Sequence, residues 1–275
     1  MPELPEVEVV RSVLESNILN LKIIDVECFY SPIIENDLLE FKSSVINKKI
    51  TKIDRLGKYL IFKLENGAFI SHLRMEGKYH YFKEETPNLA HTHVVFHFDN
   101  GYKLLYQDVR KFGRIVYKES NDVYSTLPLS KIGVEGNCSE YDLNNIYSLI
   151  HKKKLPIKTV LLDQTIISGL GNIYVDEVLF KSNINPHRLA SSLTIDEVKS
   201  VMTNSKEILD KAILYKGTTI RSYTSSLGVS GNYQDLLMVH TKTVCPICNS
   251  PINKDKIGGR SSYYCSKCQV IKWKL

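Results

Sequence analysis

The sequence predicts an α+β protein: an N-terminal β-sandwich led by one helix, then a helical helix-two-turn-helix domain that ends in a four-cysteine ribbon. Three observations support this. Alternating runs rich in β-branched and aromatic residues fill about 22–119, apolar residues recur at helical spacing past about 122, and four cysteines in two close pairs lie in the last 31 residues. A chain of 275 residues has room for two domains. Its composition, 43% hydrophobic and 24% charged, excludes a disordered or fibrous chain. No run approaches the roughly 18 apolar residues of a membrane span. Glu3, Glu6 and Glu8 stand where a secretory signal would carry positive charge, so a cytoplasmic location is expected.

The first twenty residues read as a helix. Pro5 suits a first turn, and Val7, Val10, Leu14 and Ile18 fall on one face. Its acidic start lies where the helix dipole favours negative charge. From about 22 to 119 the pattern is β throughout. Runs 58–65 and 68–74 flank Asn66-Gly67, and runs 93–99 and 102–108 flank Asn100-Gly101; both dipeptides supply the positive φ angles of a tight hairpin turn. Helices are expected over 142–152, 156–163, 172–181 and 195–215, the last opened by Thr194 with Glu197 at capping-box spacing. Ser168-Gly169-Leu170-Gly171, between the second and third, is too glycine-rich for a helix interior and makes the tight turn. Ten of the sixteen residues over 217–232 are Gly, Ser or Thr, which reads as a long surface loop suited to a lid. The expected domains are 1–130, 131–240 and 241–275.

The net charge of +6 is unevenly spread. Residues 245–275 hold six basic side chains (Lys254, Lys256, Arg260, Lys267, Lys272, Lys274) against Asp255 alone, leaving only +1 for the other 244 residues. Such a module suits a polyanionic partner, although a solvated surface has the same composition. Cys245, Cys248, Cys265 and Cys268 form C-x2-C-x16-C-x2-C, in which each close pair supplies two corners of a tetrahedral Zn²⁺ site with no position left for substrate. One structural zinc is expected; disulfides are disfavoured without an export signal. Cys28 and Cys138 read as reduced core thiols. Arg260 lies between the thiol pairs, at a hairpin tip that either presents it to a phosphate or base or leaves it in solvent.

The opening Met1-Pro2-Glu3-Leu4-Pro5-Glu6 carries chemistry of its own. Removal of Met1 before the small Pro2 exposes a secondary amine, and an α-amino group titrates near 7.7–8.0, far below lysine, so a useful fraction is nucleophilic at neutral pH. A secondary amine attacking an anomeric carbon gives an iminium that keeps its charge without a proton, an electron sink for elimination. Glu3 is placed to move protons. By composition alone, Pro and Glu here simply begin a helix.

Five segments occur in the order found in bacterial formamidopyrimidine-DNA glycosylases: residues 1–8 (MPELPEVE), 72–77 (HLRMEG), 108–113 (DVRKFG), 169–177 (GLGNIYVDE) and the four-cysteine ribbon. The chain resembles that family from residue 2 to Gln269. The resemblance implies a bifunctional glycosylase and abasic-site lyase that removes 8-oxoguanine and formamidopyrimidines from duplex DNA. It implies Pro2 as Schiff-base nucleophile, Glu3 as acid/base partner, Lys58 as proton donor in β-elimination, and Arg260 as an aid to δ-elimination that grips phosphate. Glu6 matches a lesion-pocket carboxylate. Asn172, His91, Arg110 and Lys153 match DNA contacts, with Lys158 a further candidate. Met75, Arg110 and Phe112 match the trio that fills the gap left by an everted nucleotide, although spacing alone would place Met75 and Phe112 in a core. The remaining histidines, 72, 80, 93, 97, 151, 187 and 240, read as satisfied or solvated imidazoles. The implied partner is damaged double-stranded DNA, bound by a monomer at the bacterial nucleoid, with no membrane and no obligate protein partner.

Four departures from the family pattern stand out. Val239-His-Thr-Lys242 replaces a frequent Val-Tyr-Gly-Arg, Tyr233 stands where phenylalanine is common, Lys111 replaces a frequent arginine, and 270–275 extend past the usual end. Two other readings compete. An endonuclease VIII-like enzyme for oxidised pyrimidines would share the nucleophile, but Leu4 and the 75/110/112 trio favour the purine branch. A non-catalytic zinc-ribbon DNA-binding protein explains the C-terminal charge and leaves residues 1–8 and Lys58 without a purpose.

Overall fold

The computed structural model describes residues 1–218 and 231–271. Most of the expected 217–232 lid and the last four residues of the 270–275 extension lie outside them. The chain divides into two compact units, one made of Met1–Lys131 with Lys216–Gly231, the other of Ile132–Tyr215 with Asn232–Leu275.

The first unit opens with α1 (Leu4–Ile18), β1 (Ile23–Cys28) and α2 (Leu38–Val45). The strands β2 (Lys52–Leu56), β3 (Tyr59–Lys63), β4 (Gly67–His72), β5 (Lys78–Lys83), β6 (Thr92–Phe98), β7 (Tyr102–Gln107) and β8 (Arg114–Glu119) follow. They form two antiparallel sheets of order β1-β6-β7-β5 and β2-β3-β4-β8, the expected sandwich. Val7, Val10, Leu14 and Ile18 of α1 all enter the core, as their spacing requires. Between the sheets the aromatic rings carry the packing. Phe69 of β4 stacks on Phe62 of β3 at 4.3 Å and on Phe96 of the opposite sheet at 5.0 Å, and Phe41 of α2 meets both Phe69 and Phe96 edge-on at 6.4 Å.

Two expectations need correction here. The all-β reading of 22–119 missed α2, which Asp37 starts by accepting the N–H groups of Leu39 and Glu40. Nor does Asn66-Gly67 supply positive φ. Of the four dipeptide residues only Gly101 does, at +77°. Gly67 serves close approach instead: a Cβ there would lie 2.4 Å from the Lys118 carbonyl and 2.5 Å from the Tyr117 hydroxyl.

The second unit holds β9 (Val134–Glu135), α3 (Leu143–His151), α4 (Ile157–Leu161), β10 (Ile167–Ser168), α5 (Asn172–Lys181), α6 (Ile195–Leu214), β11 (Asn253–Ile257) and β12 (Arg260–Tyr264). The predicted helices stand within a few residues of their expected bounds. Asp142 caps α3, and Thr194 with Glu197 forms the reciprocal cap of α6 at 3.2 and 2.9 Å. The β11–β12 hairpin turns through Gly258 and Gly259, both at positive φ (+55° and +78°), so Arg260 begins the return strand at its tip.

Because Phe69 joins both sheets, Phe69→Ala should lower stability by about 3–5 kcal/mol, the range for emptying a buried aromatic site. Urea unfolding followed by near-UV circular dichroism measures this, and a loss below about 1 kcal/mol would show that the inter-sheet stack is not what holds the sandwich.

Candidate active site and nucleic-acid interface

The start of α1 gathers the predicted chemistry. Pro2, Glu3, Glu6 and Lys58 are all buried. The Glu3 N–H donates to Glu6 Oε2 at 2.9 Å, while Glu6 Oε1 accepts the N–H of Thr218 at 2.8 Å and its hydroxyl at 3.1 Å. One carboxylate thus ties the chain terminus to the root of the segment after α6. Gly217 permits it, since a Cβ there would lie 2.7 Å from Glu6 Oε1. Burial lowers the pKa of the Met1 α-amino group, which precedes Pro2, from its ordinary 8.0, opposed by the charges of Glu3, Glu6 and Glu76 and reinforced by Lys58. Glu3, Glu6 and Lys58 therefore surround the chain terminus at Met1, one residue before Pro2. Glu76 joins them and was not singled out from sequence; its place beside Met75 in the 72–77 segment was the available signal.

Two bends in the same unit carry Met75, Arg110 and Phe112. The buried Asp108 accepts the N–H of Arg110 at 3.0 Å through Oδ1, and those of Phe112 at 2.9 Å and Gly113 at 2.8 Å through Oδ2, which winds 109–113 into a fixed loop. The loop leaves Phe112 48% exposed, with the Arg110 guanidinium 4.8 Å from its ring centre. Met75 is 36% exposed. Both bends close on Tyr106: Cβ atoms on Gly113 and Gly77 would lie 1.6 and 2.3 Å from its hydroxyl oxygen. Met75 and Phe112 are thus exposed, not core. His91 is also exposed, in a left-handed conformation (φ +64°). Lys111 keeps its charge over the Tyr30 ring at 4.5 Å.

In the second unit the Gln164 side chain shapes the glycine turn, accepting the Gly169 N–H at 3.0 Å and donating to the Leu170 carbonyl at 2.9 Å. Gly169 takes φ +92°. The turn delivers Asn172 as the first residue of α5, with its buried Oδ1 accepting no hydrogen bond. The helix dipole at such a terminus favours an anion. Lys153 follows α3, 3.9 Å from Asp163. Lys158 is different from what the sequence suggested. It is fully buried in an ion pair with Asp176 at 2.7 Å and cannot reach a DNA backbone from there.

The four predicted cysteine ligands come together, with all four sulfurs within 4.8 Å of one another. Cys245–Cys268 and Cys248–Cys265 are 3.7 and 3.4 Å apart, too long for disulfides and close to the roughly 3.8 Å edge that four 2.3 Å metal–sulfur bonds would give a tetrahedron. The cluster can hold one metal ion.

Comparison with known proteins bears on the same residues. Models of the formamidopyrimidine-DNA glycosylase N-terminal domain and H2TH domain match residues 1–115 and 132–224. Formamidopyrimidine-DNA glycosylases of Streptococcus mutans and Ligilactobacillus salivarius are 44% and 45% identical, over 98% and 99% of this chain and 99% and 100% of theirs. The chain belongs to the formamidopyrimidine-DNA glycosylase family. Among solved structures, a Lactococcus lactis FPG mutant in complex with Fapy-dG-containing DNA superimposes with a TM-score of 0.91 at 38% identity, covering 98% of this chain and all of that one. The L. lactis enzyme bound to abasic-site DNA gives 0.90 at 39%, over 98% and 99%.

His72 sits one strand from Lys58. Its Nδ1 accepts the Arg74 N–H at 2.9 Å, and its ring meets Tyr59 edge-on at 4.5 Å. Burial, with the Arg74 and Lys58 charges, pulls its pKa from 6.5 to about 3. Between those values the unfolded chain binds a proton that the folded chain refuses, so this contribution to stability is complete above pH 6.5 and is lost as the pH falls toward 3, at up to about 1.4 kcal/mol per unit. His72→Asn, whose amide oxygen replaces Nδ1 as acceptor, should flatten this part of the curve. Urea unfolding at pH 7, 5.5 and 4 tests it, and parallel curves for the two proteins would assign the acid loss elsewhere.

Proposed function

We propose that the chain, once Met1 is removed, uses the Pro2 secondary amine to release oxidised purines from duplex DNA and then cuts the strand by β,δ-elimination. As a member of its family it is a DNA glycosylase for oxidised purines in base-excision repair, and abasic-site lyase activity is typical of that family. The observation that carries the residue-level reading is Pro2, buried at the start of α1 and next in the chain to a Met1 amine that lies in electrostatic range of Glu3, Glu6, Lys58 and Glu76. Removal of Met1 would expose the Pro2 amine among the same charges, where desolvation favours the unprotonated, nucleophilic form.

The steps balance with those residues and water. The Pro2 nitrogen attacks C1′ of the everted nucleotide, the glycosidic bond breaks toward the base, and Glu3 exchanges the protons that ring opening and base departure require. The iminium then acidifies C2′: its proton passes to water, the electron pair moves into the enamine and returns to form the C2′=C3′ bond as the C3′–O bond breaks, and Lys58 is the proton donor to the leaving strand. Arg260 supports the second elimination and holds phosphate. Glu6 lines the lesion pocket; His91, Arg110, Lys153 and Asn172 hold the strands, and Met75, Arg110 and Phe112 fill the vacated stack. In this division of labour 1–130 carry the chemistry, 131–240 the helix-two-turn-helix and the lesion-capping loop, and 241–275 the ribbon. The four-thiolate set suits one Zn²⁺, which would fix the ribbon fold and leave no position for substrate. The reading makes the enzyme a monomer acting on damaged DNA in the bacterial cytoplasm.

Borohydride reduction with a duplex carrying 8-oxoguanine opposite cytosine should cross-link the DNA to residue 2, and Pro2→Gly should lose most strand cleavage while retaining DNA binding. A cross-link at a lysine would overturn the nucleophile, and preference for thymine glycol would move the chain to the pyrimidine branch. If about five phosphates are neutralised, log affinity should fall against log salt with a slope of about −4 to −5. Filter binding between 50 and 200 mM salt reads it, and a flat profile would contradict the role given to the basic ribbon.

A further inference from the structure

One buried charged cluster takes no part in this chemistry. Asp176, on α5, is fully buried; its Oδ1 accepts from Lys158 Nζ at 2.7 Å, and its Oδ2 is 2.8 Å from His240 Nδ1 and accepts the Tyr263 N–H at 3.2 Å. Lys158 Nζ donates a second bond to the Ser261 carbonyl at 2.7 Å. In a two-residue hairpin closed by Ile257 and Arg260, residues 261 and 263 turn their backbone polar groups away from β11. Lys158 and Asp176 therefore satisfy the open edge of β12 in place of a third strand. Ser262, between the two contacts, is fully buried, and the turn is pressed so close to α4 that a Cβ on Gly258 would lie 2.8 Å from Thr159 Oγ1. On the outer strand, Asp255 is shared by His187 at 2.8 Å and the Tyr264 hydroxyl at 2.6 Å.

We infer that Asp176 and His240 are positioning residues for Arg260, fixing the register of β12 so that its guanidinium is held at one place. This deepens the proposed function and rests on Arg260 acting in the second elimination. Apolar packing would hold the hairpin at least as firmly, because buried charge recovers little net stability. What hydrogen-bonded charge adds is a single arrangement, since a slip by one residue would strand Lys158 and Asp176 without partners. His240 completes the set. It belongs to the Val239-His-Thr-Lys242 departure, and the backbone that carries it is held by the neighbouring carboxylate: Glu177 accepts the N–H groups of Met238, Val239 and His240 at 2.7, 2.9 and 2.8 Å. Two consecutive residues of α5 thus hold both the backbone and the ring of this segment, and through the ring's partner the strand that begins with Arg260.

The test uses the metal-loaded enzyme and two variants. His240→Phe removes the donor and keeps the ring; His240→Asn keeps an amide donor near the Nδ1 position. In H240F, hydrogen exchange of the Tyr263 amide should quicken about tenfold, and the ratio of β- to δ-elimination product on an abasic-site duplex should rise by a similar factor, with borohydride trapping at residue 2 unchanged. H240N should return both readouts to within about threefold of the parent, a rescue that general destabilisation would not give. Unchanged Tyr263 exchange in H240F, or faster exchange with an unchanged product ratio, would overturn the inference. An R260A enzyme with the parent product ratio would remove the role of Arg260 itself, and with it the reading on which this one rests.

Discussion

A backbone N–H withdrawn from water without an acceptor costs about 1–3 kcal/mol, and many candidate site residues in this chain lie on backbone that has left its sheet or helix. Buried carboxylates solve the same problem repeatedly. Glu6 accepts from Glu3 and Thr218, Asp108 from Arg110, Phe112 and Gly113, and Glu177 from three successive residues, 238–240. A carboxylate suits this role because it offers acceptors only, and two or three converging N–H dipoles offset part of what burial takes. The balance is visible at Glu177, where burial raises the pKa and the bonds to 238–240 oppose it. The site residues are thus held by polar contacts whose geometry is specific, while the sandwich beneath is held by ring packing that is not.

This division explains why large apolar side chains can stand in water where function requires them. Phe112 and Met75 are not stabilised by burial in the free protein; their bends are fixed by Asp108 and by the two glycines that close on Tyr106. A loop held from its backbone can carry whatever side chain its task calls for, and an aromatic ring with a guanidinium over its face is already arranged to stack and to donate.

Much of this was legible in the sequence, and the failures are instructive. The helices were readable because their faces obey one period and their caps are local: Thr194 and Glu197 find each other across a single turn. The four cysteines were readable because a metal site's spacing survives without knowledge of the fold. Short α2 was not, since eight residues give too few repeats to stand out from the alternation around them. The role of Gly67 was misassigned because Asn-Gly is a signal for φ, whereas its value here is the absence of a Cβ beside Lys118, a contact 51 residues away in the chain. Lys158 failed for the same reason. Lys158 stood as a further candidate DNA contact because its partner Asp176 is 18 residues on in the chain.

That last case shows how charge composition can mislead about where binding energy resides. Lys158 adds to the positive count but is neutralised inside the protein, whereas Arg260 and Asn172 contribute through placement: one at the tip of a two-glycine turn, the other at the first position of a helix with an unused carbonyl oxygen. A phosphate would meet a cation in one and the positive end of a helix dipole in the other, and in both the strength of the contact depends on how little the protein must rearrange to make it. Gln164 shaping the glycine turn and Asp176 gripping β12 are the parts of the structure that remove that rearrangement in advance.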